Sequence, residues 1–366
     1  MKTSYAKNKI KSTILRFIAE KEEVSRNDII KELGFSLPTV LQKVNELTED
    51  GLIAETGQSE SNGGRKAKLI SLLCNARYAV GVNITAHHVE TVIIGLDGTM
   101  IASERSRLTF KPTLEYCQEF YKTVNICIEK SGCEREKITG MGIALPGFVD
   151  KKRKILLNSR AFQIENYSLK ELELLFPYPV IFENDANAAA FAEKKFRADT
   201  VFYLSLSTTV GGAFSVDGKM FEGKNHRSSE IGHVVLIPQG KPCYCGKKGC
   251  IDSYCSTKVL AEDNLQEFFE RVRNGEKNSE SVWMEYLEHL ALVISNLRYQ
   301  YDCDIIVGGH IGGYLEPYLP QLRQLTLQND RFDSDATFIH CGKYGWEASA
   351  YGIAYVLIDQ FLSEVI

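Results

Sequence analysis

No apolar run in these 366 residues approaches the roughly 20 that a membrane-spanning helix needs. The stretch Val80–Ile94 is broken by Asn83, His87, His88 and Glu90. A secretory leader is also missing from the opening residues, so the ten cysteines are expected in a reducing cytoplasm, where thiols pack or bind metal instead of bridging. Neither sign of charge is in excess: 43 Lys+Arg stand against 47 Asp+Glu, a net charge of −4. Residues 1–72 carry 12 basic and 10 acidic side chains, so any contact with nucleic acid must come from local placement. Apolar content is not lacking. At 44% it supplies cores for two or three domains.

Against that even background one cluster stands out. His233 is followed by Cys243-Tyr244-Cys245-Gly246-Lys247-Lys248-Gly249-Cys250. Three thiolates and one imidazole within eighteen residues form the soft tetrahedral set that a structural Zn²⁺ takes, with no position open for water. Gly246 and Gly249 let the loop fold back so that the sulfurs converge. The expectation is a clamp formed by His233, Cys243, Cys245 and Cys250, without a catalytic role for the metal.

The first 72 residues read as a unit. Ile10, Ile14, Leu15, Phe17 and Ile18 recur at helical spacing within Lys7–Glu20. Ser25 caps a helix over Arg26–Leu33 that stops at Gly34. Ser36 caps a third, with Pro38 in its first turn, Val40, Leu41, Val44 and Leu47 inward, and Gly51 at its end. Strands Leu52–Thr56 and Ala67–Leu73 flank the polar tip Gly57–Lys66. This is a winged helix-turn-helix, which lays its third helix in the major groove. Leu37, Pro38, Thr39, Gln42 and Lys43 are expected outward: Gln42 for adenine, Thr39 for a thymine methyl, Lys43 for a phosphate. Arg65 and Lys66 follow two glycines and suit a phosphate or a narrowed minor groove.

The remainder alternates strands and helices in two similar halves. Ala79–Ile84, Val89–Leu96 and Met100–Arg107 form a meander turned at Asp97-Gly98, followed by a helix over Leu114–Ser131 and a strand Gly140–Leu145. Val201–Ser207, Gly211–Val216 and Lys219–Phe221 restart it, with helices over Thr257–Val272 and Ser281–Tyr301, a strand Ile305–Val307 and a closing helix Trp346–Leu362. The expected architecture is α/β: a winged head (1–72) ahead of a two-lobed actin-like, sugar-kinase (ribonuclease H-like) fold. Its first lobe would span 73–195 and be completed by about 345–366, and its second would span 196–344.

Gly63-Gly64-Arg65, the run Glu183-Asn184-Asp185-Ala186-Asn187-Ala188-Ala189-Ala190, Glu230-Ile231-Gly232-His233 and the cysteine loop together resemble the ROK family (repressors, open reading frames, sugar kinases), in its winged-helix repressor branch. That resemblance implies a hexose clamped between the lobes. The residues it places on the sugar are Asn184, Asp185, Glu230, His233 and Asp252, with Asn158 as a further contact. Asp252 departs from the family, which usually has Glu there. Carboxylates and amides suit a sugar because each bonds adjacent hydroxyls in fixed geometry.

The same resemblance exposes a loss. Family kinases carry Asp-x-Gly-Gly-Thr after the first strand, where this chain has Asn83-Ile84-Thr85-Ala86-His87. A second glycine-rich turn is replaced by Ser207-Thr208-Thr209-Val210-Gly211-Gly212-Ala213, although Gly308-Gly309 remains. An amide cannot replace the carboxylate beside Mg²⁺, and side chains fill the phosphate volume. Asp185, the base of a working kinase, becomes a vestige. The implied protein is a sugar-responsive repressor that binds operator DNA as a homodimer or a dimer of dimers, with a monosaccharide effector and structural zinc. Two alternatives stay open: a sugar kinase with a DNA-binding appendage, and a regulator released by a protein partner.

Overall fold

The computed structural model describes residues 2–58, 68–224, 226–261 and 264–365. Helices Lys2–Lys21, Arg26–Leu33 and Leu37–Glu49 form the head, closed by an antiparallel sheet in the order Val24–Ser25, Lys68–Leu72, Ile53–Gln58. Ser25 begins the second helix with a reciprocal cap. Its Oγ accepts from the Asp28 N–H at 3.2 Å, and its own N–H donates to Asp28 Oδ2 at 2.8 Å. Gly34, at φ 69°, ends that helix in the left-handed region, as the sequence implied. Arg65 and Lys66, at the wing tip, lie outside the described residues.

Beyond the head stand two five-stranded sheets of identical connectivity. The first runs Val180–Asn184, Ile138–Leu145, Tyr78–Ile84, His88–Gly95, Met100–Arg107. The second runs Lys219–Met220, Val210–Val216, Val201–Leu206, Asp304–Gly308, Ile339–Cys341. In each, an antiparallel meander is extended by two parallel strands, which is the two-lobed actin-like plan. Tyr78–Ile84 is buried along its whole length because both faces of the sheet are covered, whereas edge strand Met100–Arg107 alternates half-buried with exposed. Two expectations need correction. The helix placed over Thr257–Val272 is interrupted: Thr257–Val259 is a tight 3₁₀ turn, and Asn264 caps a separate helix Leu265–Arg273. A three-stranded sheet of Phe148–Asp150, Ile155–Ser159 and Ile164–Ser168 sits on the first lobe with no forecast, since its strands are short and mixed in polarity.

The closing helix Ala348–Glu364 lies against the first lobe's sheet and the helix Asp185–Phe191. That approach depends on missing side chains. A Cβ at Gly81 would fall 1.8 Å from the Ala350 carbonyl oxygen, and one at Gly352 would fall 1.8 Å from that of Ala188. The helix's other flank meets the head. Ile14, Leu15, Phe17 and Ile18 share one apolar cluster with Ala354, Leu357, Ile358 and Leu362. Arg16 Nη2 reaches Asp359 Oδ1 at 2.8 Å, and Lys194 Nζ donates to the Glu20 carbonyl at 3.0 Å. Both polar links are exposed and contribute little; the apolar contact carries the docking. Among the described residues no helix is long and apolar enough to cross a membrane.

Candidate functional site

Strand Val180–Asn184 runs straight into helix Asp185–Phe191, which projects Asn184 and Asp185 at the cleft between the lobes. Asn184 proves to be the helix cap. Its Oδ1 accepts from the Ala186 and Asn187 N–H groups at 2.9 and 3.0 Å. Its Nδ2 donates to the Gly147 carbonyl at 3.0 Å and to Asp185 Oδ1 at 3.1 Å. An Asn amide has two acceptor and two donor positions, so all four are used. In this arrangement Asn184 lines the cleft while its amide orients Asp185.

Asp185 touches solvent at the cleft wall but is crowded by protein on every other side, and that burial raises its carboxyl above the ordinary range. Glu230 faces it from the second lobe. Its rim is exposed, yet crowding pushes its carboxyl up to about 7, the nearby Asp185 charge adds to this, and Arg227 works against it. Asn184 and Glu230 line an open cleft with Gly147, Glu183, Asn187 and Gly212, and Asn158, Asp185, His233 and Asp252 stand outside that lining. Asn158 Nδ2 is bonded to Glu165 Oε1 at 2.9 Å across its hairpin. Asp252 is buried, and its Oδ2 accepts from the Val210 N–H at 2.8 Å. The shorter acid thus ties down the second-lobe turn through one of its oxygens.

The cysteine loop closes as its spacing implied. His233 Nδ1 lies 3.8 Å from Cys243 Sγ, Cys245 Sγ lies 3.7 Å from Cys250 Sγ, and all four donor atoms lie within 4.8 Å of one another. Gly249, at φ 81°, also leaves no room for a Cβ, which would meet the Ile237 carbonyl oxygen at 1.8 Å. Burial works to raise the Cys245 thiol, yet the Lys247 N–H and the neighbouring thiols hold it below the ordinary range. A thiol that ionises readily among acceptor sulfurs is what a metal cation would use. The second ring nitrogen of His233 faces the Tyr244 hydroxyl at 3.3 Å. These four residues can hold a metal ion.

The two turns compared above with phosphate loops are bonded internally. Gly309 N–H donates to the Tyr203 hydroxyl at 3.1 Å and His310 N–H to Ser207 Oγ at 3.3 Å. Asn83 Nδ2 donates to Glu90 Oε2 at 2.7 Å, Arg105 Nε lies 3.0 Å from Glu90 Oε1, and His310 of the second lobe approaches that oxygen at 3.8 Å. A buried carboxylate, Glu90, thus stands between the two lobes at this point.

On the third helix of the head, Leu37, Pro38 and Gln42 are exposed and Thr39 is half-buried. Lys43 is not outward. It is 7% exposed, its ammonium 2.6 Å from Glu46 Oε2, because position 43 falls beside Val40, Val44 and Leu47 on the packed face. Leu41, expected inward, is 39% exposed and shares the outer face with Gln42 and Asn45. Gln42 Nε2 donates to Glu46 Oε1 at 2.9 Å, so its amide must turn to meet a base.

Comparison with known proteins decides the family. The ROK family profile matches residues 79–360, and a profile described as winged helix-turn-helix DNA-binding matches residues 7–54. The chain belongs to the ROK family. It is 26% identical over 261 residues to the xylose repressor of Bacillus subtilis (strain 168), covering 70% of this chain and 68% of that protein. It is 27% identical to the N-acetylglucosamine repressor of Escherichia coli O157:H7, covering 69% of this chain and 63% of that one. The crystal structure of a ROK family transcriptional regulator, a homologue of the E. coli MLC protein, superposes with a TM-score of 0.73 at 20% identity, covering 98% and 97% of the two chains. A ROK glucokinase from Streptomyces griseus, solved with glucose and AMPPNP, gives 0.64 at 22% identity over 76% and 98%.

Within this ROK chain the cleft contains residues that sequence reasoning passed over. Lys151 stands in the run Asp150-Lys151-Lys152-Arg153, which reads as solvated surface, yet it reaches Glu183 and Glu222. Tyr244 lies between two of the clustered cysteines, so its neighbourhood was legible while its direction was not. Burial raises its phenol, with Asp252, Cys243, Glu230 and Asp185 adding to the effect, and its hydroxyl meets His233 Nε2.

Proposed function

We propose that this ROK protein is a sugar-responsive, DNA-binding transcriptional repressor whose kinase-like domain senses a sugar without phosphorylating it. One observation carries the reading: the DNA-binding head shares a continuous apolar core with the first lobe of a sugar-kinase-like cleft, so closing the cleft reorients the head. Loss of catalysis is supported by Asn83 at the Mg²⁺ position and by internal bonding of the Gly309 and His310 N–H groups. Asp185, Glu230 and His233 are the sugar contacts in this reading, His233 once Tyr244 releases its second ring nitrogen, with Asp185 as an acceptor only. Asn184 positions Asp185, while Asn158 and Asp252 shape the walls.

Zinc is the metal the donor set favours. A tetrahedral ion with Zn–S bonds of about 2.3 Å places sulfurs about 3.8 Å apart, close to the 3.7 Å between Cys245 and Cys250. Such an ion would neutralise the crowded thiolates and fix the loop carrying His233 and Tyr244. On the DNA side, Pro38, Thr39 and Gln42 meet base edges, joined by the exposed Leu41 and Asn45; Arg65 and Lys66 are assigned to the backbone from sequence alone. A single head makes few contacts, so tight binding needs a dimer on a palindrome. The test pairs selection of genomic DNA fragments on the purified protein with a thermal-shift screen of monosaccharides, since a ligand of the native state raises the midpoint. Expected are a palindromic fragment and one sugar that alters its release. Sugar-dependent ATP turnover would favour the kinase instead.

A further inference from the structure

One lysine ties the two lobes together at the mouth of the cleft. Lys151 follows strand Phe148–Asp150 on the first lobe, and Glu222 follows strand Lys219–Met220 on the second. The Lys151 ammonium lies 2.5 Å from Glu183 Oε2 and 2.5 Å from Glu222 Oε1. The other Glu222 oxygen is 3.2 Å from His226 Nδ1. Glu183 is itself held, its Oε1 accepting from the Asn184 N–H at 2.9 Å and the Asn187 amide at 3.2 Å. All of these residues except the cap-bound amides present charge or imidazole to the same pocket, and Glu230 completes its wall.

We propose that Lys151 and Glu222 form a cross-cleft clamp that makes this pocket selective for an uncharged polyol and excludes phosphorylated sugars. The proposal deepens the sugar reading above and rests on it. Its basis is a count of charges and of free donors. Three carboxylates, Glu183, Glu222 and Glu230, line the pocket against one ammonium and one imidazole. A phosphate ester is an acceptor-only anion and needs unpaired donors, ideally a cation or an uncapped helix start. Here Lys151 is already shared between two carboxylates, and Arg227 lies over the Phe148 ring at 5.6 Å, where it offsets Glu230. The N–H groups of Ala186 and Asn187, which open the facing helix, are taken by Asn184 Oδ1. A neutral sugar meets the opposite situation. Its hydroxyls donate to the unused lone pairs of the carboxylates, which an acceptor-only phosphate oxygen cannot do. Because the clamp joins the lobes, a polyol inserted beside it adds bonds to both walls at once and favours the closed arrangement.

The test is calorimetry on the full-length protein with two panels, free pentoses and hexoses and their phosphate monoesters, at low and moderate salt. A free sugar is expected to bind at least about tenfold more tightly than its phosphate, the gap shrinking as salt screens the carboxylates. Glu222→Gln, which removes one anion and releases part of Lys151, is expected to narrow that ratio severalfold; Lys151→Gln is expected to widen it. Circular dichroism melts establish that each variant is folded. Phosphates binding the wild type as well as the free sugars, or a ratio unmoved by Glu222→Gln, overturns the clamp while leaving the sugar reading intact. Heat from neither panel overturns the sugar reading and the clamp with it.

Discussion

Replacing His310 with Gln should change the pH profile of stability in a defined direction. His310 Nε2 and Glu90 Oε1 meet across the lobes at 3.8 Å. Glu90 faces Asn83 and Arg105, with Glu347 nearby, and burial, offset by Asn83 and Arg105, lifts its carboxyl from 4.5 to about 7. Burial lowers His310 from 6.5 to about 4, and the charges of Arg105 and His88 add to this. Below pH 6.5 the unfolded His310 takes a proton that the folded one refuses, so this group's contribution falls as pH falls. Above pH 4.5 the unfolded Glu90 releases a proton that the folded one keeps, so its contribution falls as pH rises. Across pH 5 to 6.5 the two slopes oppose each other, each with a ceiling of about 1.4 kcal/mol per pH unit. His310→Gln removes one of them. Relative to the wild type the variant should gain on the order of 2 kcal/mol between pH 6.5 and 5. Glu90→Gln should show the opposite trend, gaining on the order of 2 kcal/mol between pH 5 and 7. Urea unfolding followed through the buried Trp283 at half-unit pH steps measures both differences. Difference curves that are flat across this window for both variants refute a mutually buried carboxylate and imidazole at this contact between the lobes.

Cys245→Ser should release the bound metal and lower the melting temperature; elemental analysis of protein purified without chelator gives the stoichiometry, and well under one zinc per wild-type chain would refute the clamp. Lys43→Ala should destabilise the head by roughly 1 kcal/mol through its lost stem packing and its Glu46 pair, while the salt dependence of DNA binding stays unchanged; a flatter salt slope would restore the phosphate contact. Gln42→Ala should weaken operator binding and relax preference at one base pair, read by competition binding with single-base variants. Asp185→Asn should weaken sugar binding by roughly 1–3 kcal/mol in calorimetry, and an unchanged affinity would remove Asp185 from the site.

Periodicity and capping residues carried most of the architecture. Ser25, Gly34 and Ser36 bounded the head helices, and the repeated meander announced two lobes, because those signals are local. The metal loop was legible for the same reason: its donors are close in sequence and its glycines permit the turn. Three things were not legible. Whether position 43 or 41 faces inward depends on how the third helix is rotated against its neighbours, and an amphipathic stripe tolerates both. The commitment of Asn184 to a cap and of Asp252 to Val210 depends on backbone groups that a motif does not name. The Lys151 clamp joins residues 71 positions apart, with no pattern linking a solvated basic run to Glu222.

The contact between the head and the closing helix also sets an order of assembly. Arg16 and Asp359 are 343 positions apart, and the apolar surfaces they border form one cluster. On the ribosome the head can fold early, since its caps and its own small core are local. Its seat on the first lobe exists only once the closing helix has emerged and covered Gly81, many seconds later at ordinary rates of synthesis. A nascent chain therefore carries a DNA-binding head that has not yet been given its orientation. Stalled or truncated products lacking the closing helix would display the outer face of the first head helix as a sticky apolar surface. In the proposed repressor the cleft gains control of the head only when helices Lys2–Lys21 and Ala348–Glu364 meet.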